Sequence, residues 1–197
     1  AAVRQTIVRA RTSPVGEGMQ VLIYTPDQTD LFARICGYFD QAGLSILDAK
    51  VHTARNGYAL DTFQVITPHM AEHYRELISM VESDLAKTLH TQAPLPVPVK
   101  GRVSRRVKSF PIQPRIRLEP DDKAQNWLLS ISASDRIGLL YSVAIVLAKH
   151  GINLQLAKIS TLGERVEDTF LISGPALQQN KAQIAIETEL LQVLQSA

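Results

Sequence analysis

The sequence predicts an α+β protein built from two ferredoxin-like units, each an antiparallel sheet with helices on one face. Three observations predict it: an internal repeat, the order of elements inside each copy, and a short extended segment ahead of each. Self-similarity at a fixed offset decides domain number before anything else does. Asp27 and Asp135, Leu31 and Leu139, Gly43 and Gly151, Ala49-Lys50 and Ala157-Lys158, and Thr53 and Thr161 all stand 108 residues apart. Asp61-Thr62-Phe63 and Asp168-Thr169-Phe170 stand 107 apart, so one residue is lost at a single turn.

The order of elements follows from spacing. Met19 to Thr25 is a short apolar run stopped by Pro26, as a buried strand would be. Asp27 to Asp30 is a polar turn, with Asp30 placed to cap the next helix. Leu31, Ile35, Phe39 and Ala42 recur at helical spacing, and Gly43 closes that helix. Leu44 to Ala54 alternates loosely, as an extended segment. Asn56-Gly57 is a two-residue hairpin signal, because both residue types tolerate φ > 0. Tyr58 to Ile66 returns as a strand. After Pro68, residues Met70 to His90 read as a helix with Leu77, Ile78, Val81 and Leu85 on one face.

The second copy repeats the order. Trp127–Ser134 is a strand, and Leu139–His150 a helix closed by Gly151. Ile152–Thr161 and Val166–Ile172 are strands, and Gln178–Gln195 is a final helix. Each copy is thus βαββα, the ferredoxin-like motif short of its fourth strand. Gln5–Arg11 and Arg115–Glu119 precede the two copies, and a hairpin arm feeding the first long strand fills the vacant slot.

These elements place one domain at residues 1–92 and a second at 113–197, with a Pro-rich basic linker at 93–112. The linker opens as the extended spacer Thr91-Gln92-Ala93-Pro94-Leu95-Pro96-Val97-Pro98. No Asp or Glu occurs from Leu85 to Leu118, whereas Lys87, Lys100, Arg102, Arg105, Arg106, Lys108, Arg115 and Arg117 do. A solvated connector explains that stretch, and so does a docking surface for an acidic partner.

Bulk properties narrow the class. A net charge of +2 is too small to imply nucleic acid or membrane. No apolar run approaches the ~20 residues a membrane span needs. The single Cys36 sits in an apolar helical pattern and reads as a buried small hydrophobe. A reducing, cytoplasmic setting is expected. The start Ala1-Ala2-Val3, without Met, suggests a piece of a larger protein.

Catalytic signatures are absent: no Gly-x-Ser-x-Gly, P-loop, His-Glu-x-x-His or Cys-x-x-Cys occurs. His69 and His73 are four apart, but no third metal ligand is evident. The loop after each first long strand is the better prospect. Asp135-Arg136-Ile137-Gly138-Leu139 joins a strand to a helix N-terminus, where free amides and the positive helix end suit a carboxylate. Gly138 would let a ligand approach the backbone. Asn153 and Leu154 open the following strand, and the Asn amide both donates and accepts. A tight turn followed by an Asn at a strand start fits the same spacing. Asp27, Gln28, Asp30, Leu31 and Ser45 form the weaker equivalent set.

Asp-Arg-x-Gly-Leu-Leu after an apolar strand, then a helix and Gly-Ile-Asn-Leu, resembles the ACT domain, a ferredoxin-like module that binds amino acids and regulates enzymes. Asp135–Leu140 and Gly151–Leu154 carry the match. The first copy departs from it, with Asp30 at the glycine position and Ser45 at the Asn position. A more specific likeness lies in Tyr24-Thr25-Pro26-Asp27-Gln28, Leu47-Asp48-Ala49-Lys50, Gly57-Tyr58-Ala59-Leu60-Asp61-Thr62-Phe63 and Ala157-Lys158-Ile159 through Thr161-Leu162-Gly163-Glu164-Arg165. Over nearly the whole chain these strings resemble the C-terminal tandem ACT region of the bacterial bifunctional uridylyltransferase/uridylyl-removing family. The basic linker with Phe110-Pro111-Ile112 is similar too.

That resemblance implies a glutamine sensor controlling nitrogen assimilation, with no cofactor or catalytic residue in this region. It implies upstream catalytic domains, Mg2+ and UTP in the parent enzyme, and PII protein as the modified partner. Homodimerisation through ACT–ACT pairing is a further expectation. Two alternatives share the fold and ligand class: a stand-alone tandem ACT regulator, and the regulatory end of an amino-acid biosynthetic enzyme. A third is an RNA-binding module, since Gly57–Phe63 is faintly similar to the strand-3 aromatics of the RNA-recognition motif.

Overall fold

The computed structural model describes residues 5–99, 112–122 and 125–195. The chain divides into two compact units, Ala1–Val97 and Pro98–Ala197. Most of the expected basic linker, including Phe110-Pro111, lies outside the described residues.

Unit 1 runs β1 (Ile7–Thr12), β2 (Met19–Pro26), α1 (Leu31–Gln41), β3 (Ser45–Thr53), β4 (Tyr58–Ile66) and α2 (Tyr74–Thr91). Unit 2 repeats it as β5 (Arg115–Pro120), β6 (Trp127–Ser134), α3 (Leu139–Lys149), β7 (Asn153–Leu162), β8 (Arg165–Ser173) and α4 (Asn180–Gln195). Strand order is β1-β2-β4-β3 in unit 1 and β5-β6-β8-β7 in unit 2, and each of these pairs is antiparallel. The leading strands β1 and β5 fill the slot of the missing fourth strand, as the hairpin-arm reading expects.

Alternation sorts each sheet into two faces. In β2, Met19, Val21, Ile23 and Thr25 are buried, and in β4, Ala59, Asp61, Phe63 and Val65. These meet α1, which buries Leu31, Ile35, Cys36 and Phe39, and α2, which buries Val81, Leu85 and Leu89. Phe63 is the hub, with its ring centroid 5.4 Å from Phe39 and 6.4 Å from Phe32. Cys36, the single cysteine of the chain, is buried in α1. Unit 2 packs the same way, with Leu129, Ile131 and Phe170 against Tyr141, Leu147, Ile186 and Leu190.

Three local expectations change. The helix expected from Met70 begins as a 3-10 turn, Met70–Glu72, before α2 starts at Tyr74. Asp30 occupies the N-cap position of α1, but its side chain makes no capping bond. Its backbone is left-handed, φ 59°, whereas a capping side chain reaches the helix amides from an extended backbone. The Asn56-Gly57 hairpin forms, but only Gly57 has positive φ, 81°. The loop is longer than a two-residue turn: the Ala54 amide donates to Tyr58 O at 2.8 Å, and Asn56 Oδ1 accepts from the Tyr58 amide at 3.0 Å.

The loose alternation of the third strand also has a cause. β3 carries a bulge between Ile46 and Asp48, and β7 one between Leu154 and Leu156. Each bulge shifts the pleat by one residue, so Ile46 and Ala49 share the helix face although three apart.

The core holds one anomaly per unit, Asp61 and Asp168, both buried. Asp61 Oδ1 accepts the His52 amide at 3.2 Å, and Asp168 Oδ1 the Ser160 amide at 3.3 Å. Asp61 Oδ2 is buried without a partner among the described residues. Burial pushes the Asp61 carboxyl up to about 7, against the His52 amide and helped by the charge of Asp27. The folded protein therefore keeps this proton up to about pH 7, whereas the unfolded chain releases it near 3.8. The contribution to stability is full below pH 3.8 and is lost as pH rises through 7. A shift of this size corresponds to up to about 4 kcal/mol. Urea titrations across that range should show this fall in the native protein and a flatter profile in Asp61→Asn.

Candidate functional site

The loop after the first long strand is built alike in both units. β6 ends at Ser134, paired with Arg165 at the start of β8, and the Asp135 amide donates to Glu164 O at 2.8 Å. In unit 1 the Asp27 amide donates to Gly57 O at 2.8 Å. The loop is thereby tied to the tip of the neighbouring hairpin. Each loop Asp carboxylate turns back on the next amide. Gln28 N–H donates to Asp27 Oδ1 at 3.0 Å, and the Arg136 amide donates to the Asp135 carboxyl. Burial raises the Asp135 carboxyl from its ordinary value, and this hydrogen bond offsets part of the rise.

The next side chain reaches across to the final helix. Arg136 Nη2 donates to Val193 O of α4 at 2.9 Å, and Gln28 Nε2 to Leu89 O of α2 at 3.1 Å. Both acceptors lie in the last turns, where carbonyls lack helical partners and the dipole is negative. Burial lowers the Arg136 guanidinium from its ordinary value. Arg136 thus anchors α4 through Nη2, while its Nε is buried without a partner among the described residues.

The turn then tightens. The Leu139 amide donates to Arg136 O at 3.2 Å, and the Leu31 amide to Gln28 O at 3.3 Å. Gly138 adopts φ 78°, and Asp30 reaches the same left-handed region at 59°. Asp is one of the few residues that visit it routinely. The Gly-to-Asp difference therefore leaves the loop backbone intact, and the two copies diverge in side chains rather than in shape. The Gly138 carbonyl accepts both the Ser142 amide and Ser142 Oγ at 3.0 Å. Among the described residues the Gly138 and Leu140 amides have no acceptor outside the helix, and Ile137 beside them is 53% exposed. That leaves donors for a small anion and the Asp135 carboxylate for a cationic group within one turn.

Not every expected residue arrives there. Asn153 pairs with Ser173, whereas the loop adjoins the Arg165 end of the same strand. At ~3.3 Å per residue, the run of β8 from Arg165 to Ser173 separates them by roughly 25 Å. Asn153 and Leu154 therefore sit at the opposite end of unit 2 from Asp135, Arg136, Ile137, Gly138 and Leu139. Ser45, paired with Ile66, lies likewise at the far end of unit 1 from Asp27, Gln28, Asp30 and Leu31. The cause is topological: the helix carries the chain back down the sheet before the next strand starts. Residues that spacing did not single out, Glu164, Val193 and Ser142, hold the loop. Matching Gln28 with Arg136 at the repeat offset was the signal for the helix anchor.

Among the described residues no group of three or more His, Cys, Asp or Glu side chains could hold a metal ion. No helix is long and apolar enough to cross a membrane. The RNA-binding alternative loses Phe63, which is fully buried on the helix face.

Two variants test the anchor and the turn. Arg136→Ala should cost ~1–2 kcal/mol in denaturant unfolding, and Arg136→Gln, which copies unit 1, should recover most of it. Gly138→Ala should cost about 1 kcal/mol, while Gly138→Asn should stay within a few tenths, because Asn tolerates the left-handed region.

No family model matches the chain. Several bacterial relatives do. The "Bifunctional uridylyltransferase/uridylyl-removing enzyme" of Ralstonia nicotianae is 56% identical over 193 residues, which is 95% of this chain and 22% of that protein. The enzymes of that name from Cupriavidus metallidurans and Cupriavidus pinatubonensis are 53% and 54% identical, over 95% and 96% of this chain, again 22% of theirs. Among solved structures, aspartate kinase from Synechocystis aligns over 91% of this chain and 27% of its own, at 12% identity and a TM-score of 0.48. The chain spans about a fifth of the length of the relatives it matches, and by these matches it is a homologue of one segment of the bifunctional uridylyltransferase/uridylyl-removing enzymes.

Proposed function

We propose that this chain is the glutamine-sensing regulatory region of a longer bifunctional uridylyltransferase/uridylyl-removing enzyme, serving the control of nitrogen assimilation. The observation that carries the reading is identity of 53–56% to enzymes of that name across 95% of the chain. The parent's catalytic domains, which would act on PII protein with UTP and Mg2+, lie outside this chain. A single buried cysteine, Cys36, suits a reducing cytoplasm.

The loop supplies the chemistry of sensing. The Gly138 and Leu140 amides at the start of α3 receive the glutamine carboxylate, and the Asp135 carboxylate receives its ammonium group. Asn153, at the far end of unit 2, does not join them. Loop and helix are coupled through Arg136, so a ligand seated on the loop bears on the end of α4. Glutamine shifts the parent's two activities only by its difference in affinity for two arrangements of domains. Pairing of ACT units between chains is one such arrangement.

Calorimetry on this chain and on the full-length enzyme, with glutamate, asparagine and serine as controls, is the direct test. Selective glutamine heat, reduced at least ~tenfold in affinity by Gly138→Trp, is expected, since an indole there blocks the approach to the amides. Absence of glutamine binding in both proteins would overturn the reading.

A further inference from the structure

The Pro-rich segment after α2 is fastened to unit 1, and the compact unit extends past the end of α2 at Thr91 to Val97. Two side chains of α1 hold the segment. Arg34 Nη1 donates to Ala93 O, and Gln41 Nε2 donates to Val97 O at 3.0 Å. Residues at this spacing lie on one stripe of a helix. Between the two ties Leu95 and Pro96 are half-buried, although Val97 is 82% exposed. Extended Pro-rich chain makes no internal hydrogen bonds, so bonds from neighbouring side chains are what fix it. Arg34 also reaches the other way. Its Nε donates to Thr29 O at 3.1 Å, in the loop between β2 and α1. One guanidinium therefore bridges the loop and the segment, as its planar fork of donors allows. Gln28 of the same loop holds Leu89 O near the end of α2.

Unit 2 is built without these ties. At the repeat offset Arg34 and Gln41 become Ser142 and Lys149. Ser142 Oγ bonds Gly138 O, and Lys149 pairs with Glu189 of α4. The fold is the same in both units, so folding does not require Arg34 or Gln41. They stand in the unit whose last helix leads on to another unit.

We propose that Ala93–Val97 is a strap governed by the unit 1 loop. With the loop in place, Arg34 holds the strap on α1; displacement of the loop lets it go. Release adds five residues, 93 to 97, to the free connector, which is about 15 Å of reach at ~3.1 Å per residue. The loop thereby sets the length of the tether between the units. Arg34 is the positioning residue, and the strap stands apart from the ligand loop of unit 2 and from the glutamine reading.

Backbone amide relaxation in the 197-residue chain reads it. Order parameters at Leu95 and Val97 should match those of α1, ~0.85, rather than fall below about 0.6 as in a free tether. Gln41→Ala should loosen Val97 and leave the Thr29 resonance in place. Arg34→Ala should loosen Leu95 and shift Thr29 together. Arg34→Lys keeps the charge without the fork and should behave as Arg34→Ala does. Gln28→Ala removes a loop bond, and Asp30→Val puts a β-branched residue where the backbone is left-handed. Each should lower Leu95 below about 0.6 while α1 stays rigid. Resonances of unit 2 that keep their positions identify the variants as folded. Low order parameters at Leu95 and Val97 in the native chain would overturn the strap. A strap that stays rigid in both loop variants would overturn its control by the loop, and full recovery in Arg34→Lys would overturn the bridging role of the guanidinium.

Discussion

The rest of each unit depends on how the chain leaves its first long strand. One backbone bond pins the loop to the hairpin tip, and one side chain pins it to the end of the last helix. The amides of Asp27 and Asp135 make the first contact, Gln28 and Arg136 the second. Strand, hairpin and both helices therefore meet at one corner. A neutral amide and a guanidinium perform the same task, so geometry rather than charge is the shared requirement. Burial works against the guanidinium, which bonds a single carbonyl near the negative end of α4.

Much of the fold was legible, because period and punctuation act locally. The 108-residue offset gave the unit number, helical spacing of Leu31, Ile35 and Phe39 gave a buried face, and the arms ahead of each copy gave the edge strands. What escaped was conformational or non-local. An Asp before a helix reads as a cap, and nothing in its identity tells that its backbone has turned left-handed. The hairpin at Asn56-Gly57 was legible as a hairpin, but the hydrogen bond from Ala54 that lengthens it was not.

The site was half legible. Asp135 through Leu139 lie consecutively, so sequence proximity is spatial proximity. Asn153 is near them only along the chain, and the helix between converts closeness in sequence into separation by the length of the sheet. Arg136 shows the reverse case. Its partner Val193 is 57 residues away, and only the fold brings the two together.

The matched bulges in β3 and β7 carry a meaning of another kind. A strand is a two-letter code, in and out, and one extra residue inverts every letter that follows. Leu47 and Gln155 stand at that inversion in their respective units. Both copies keep the same phase error at the same place, although the residues there differ. The inversion is thus written in the count of residues and not in their chemistry, and it is the kind of inheritance that substitutions alone cannot erase.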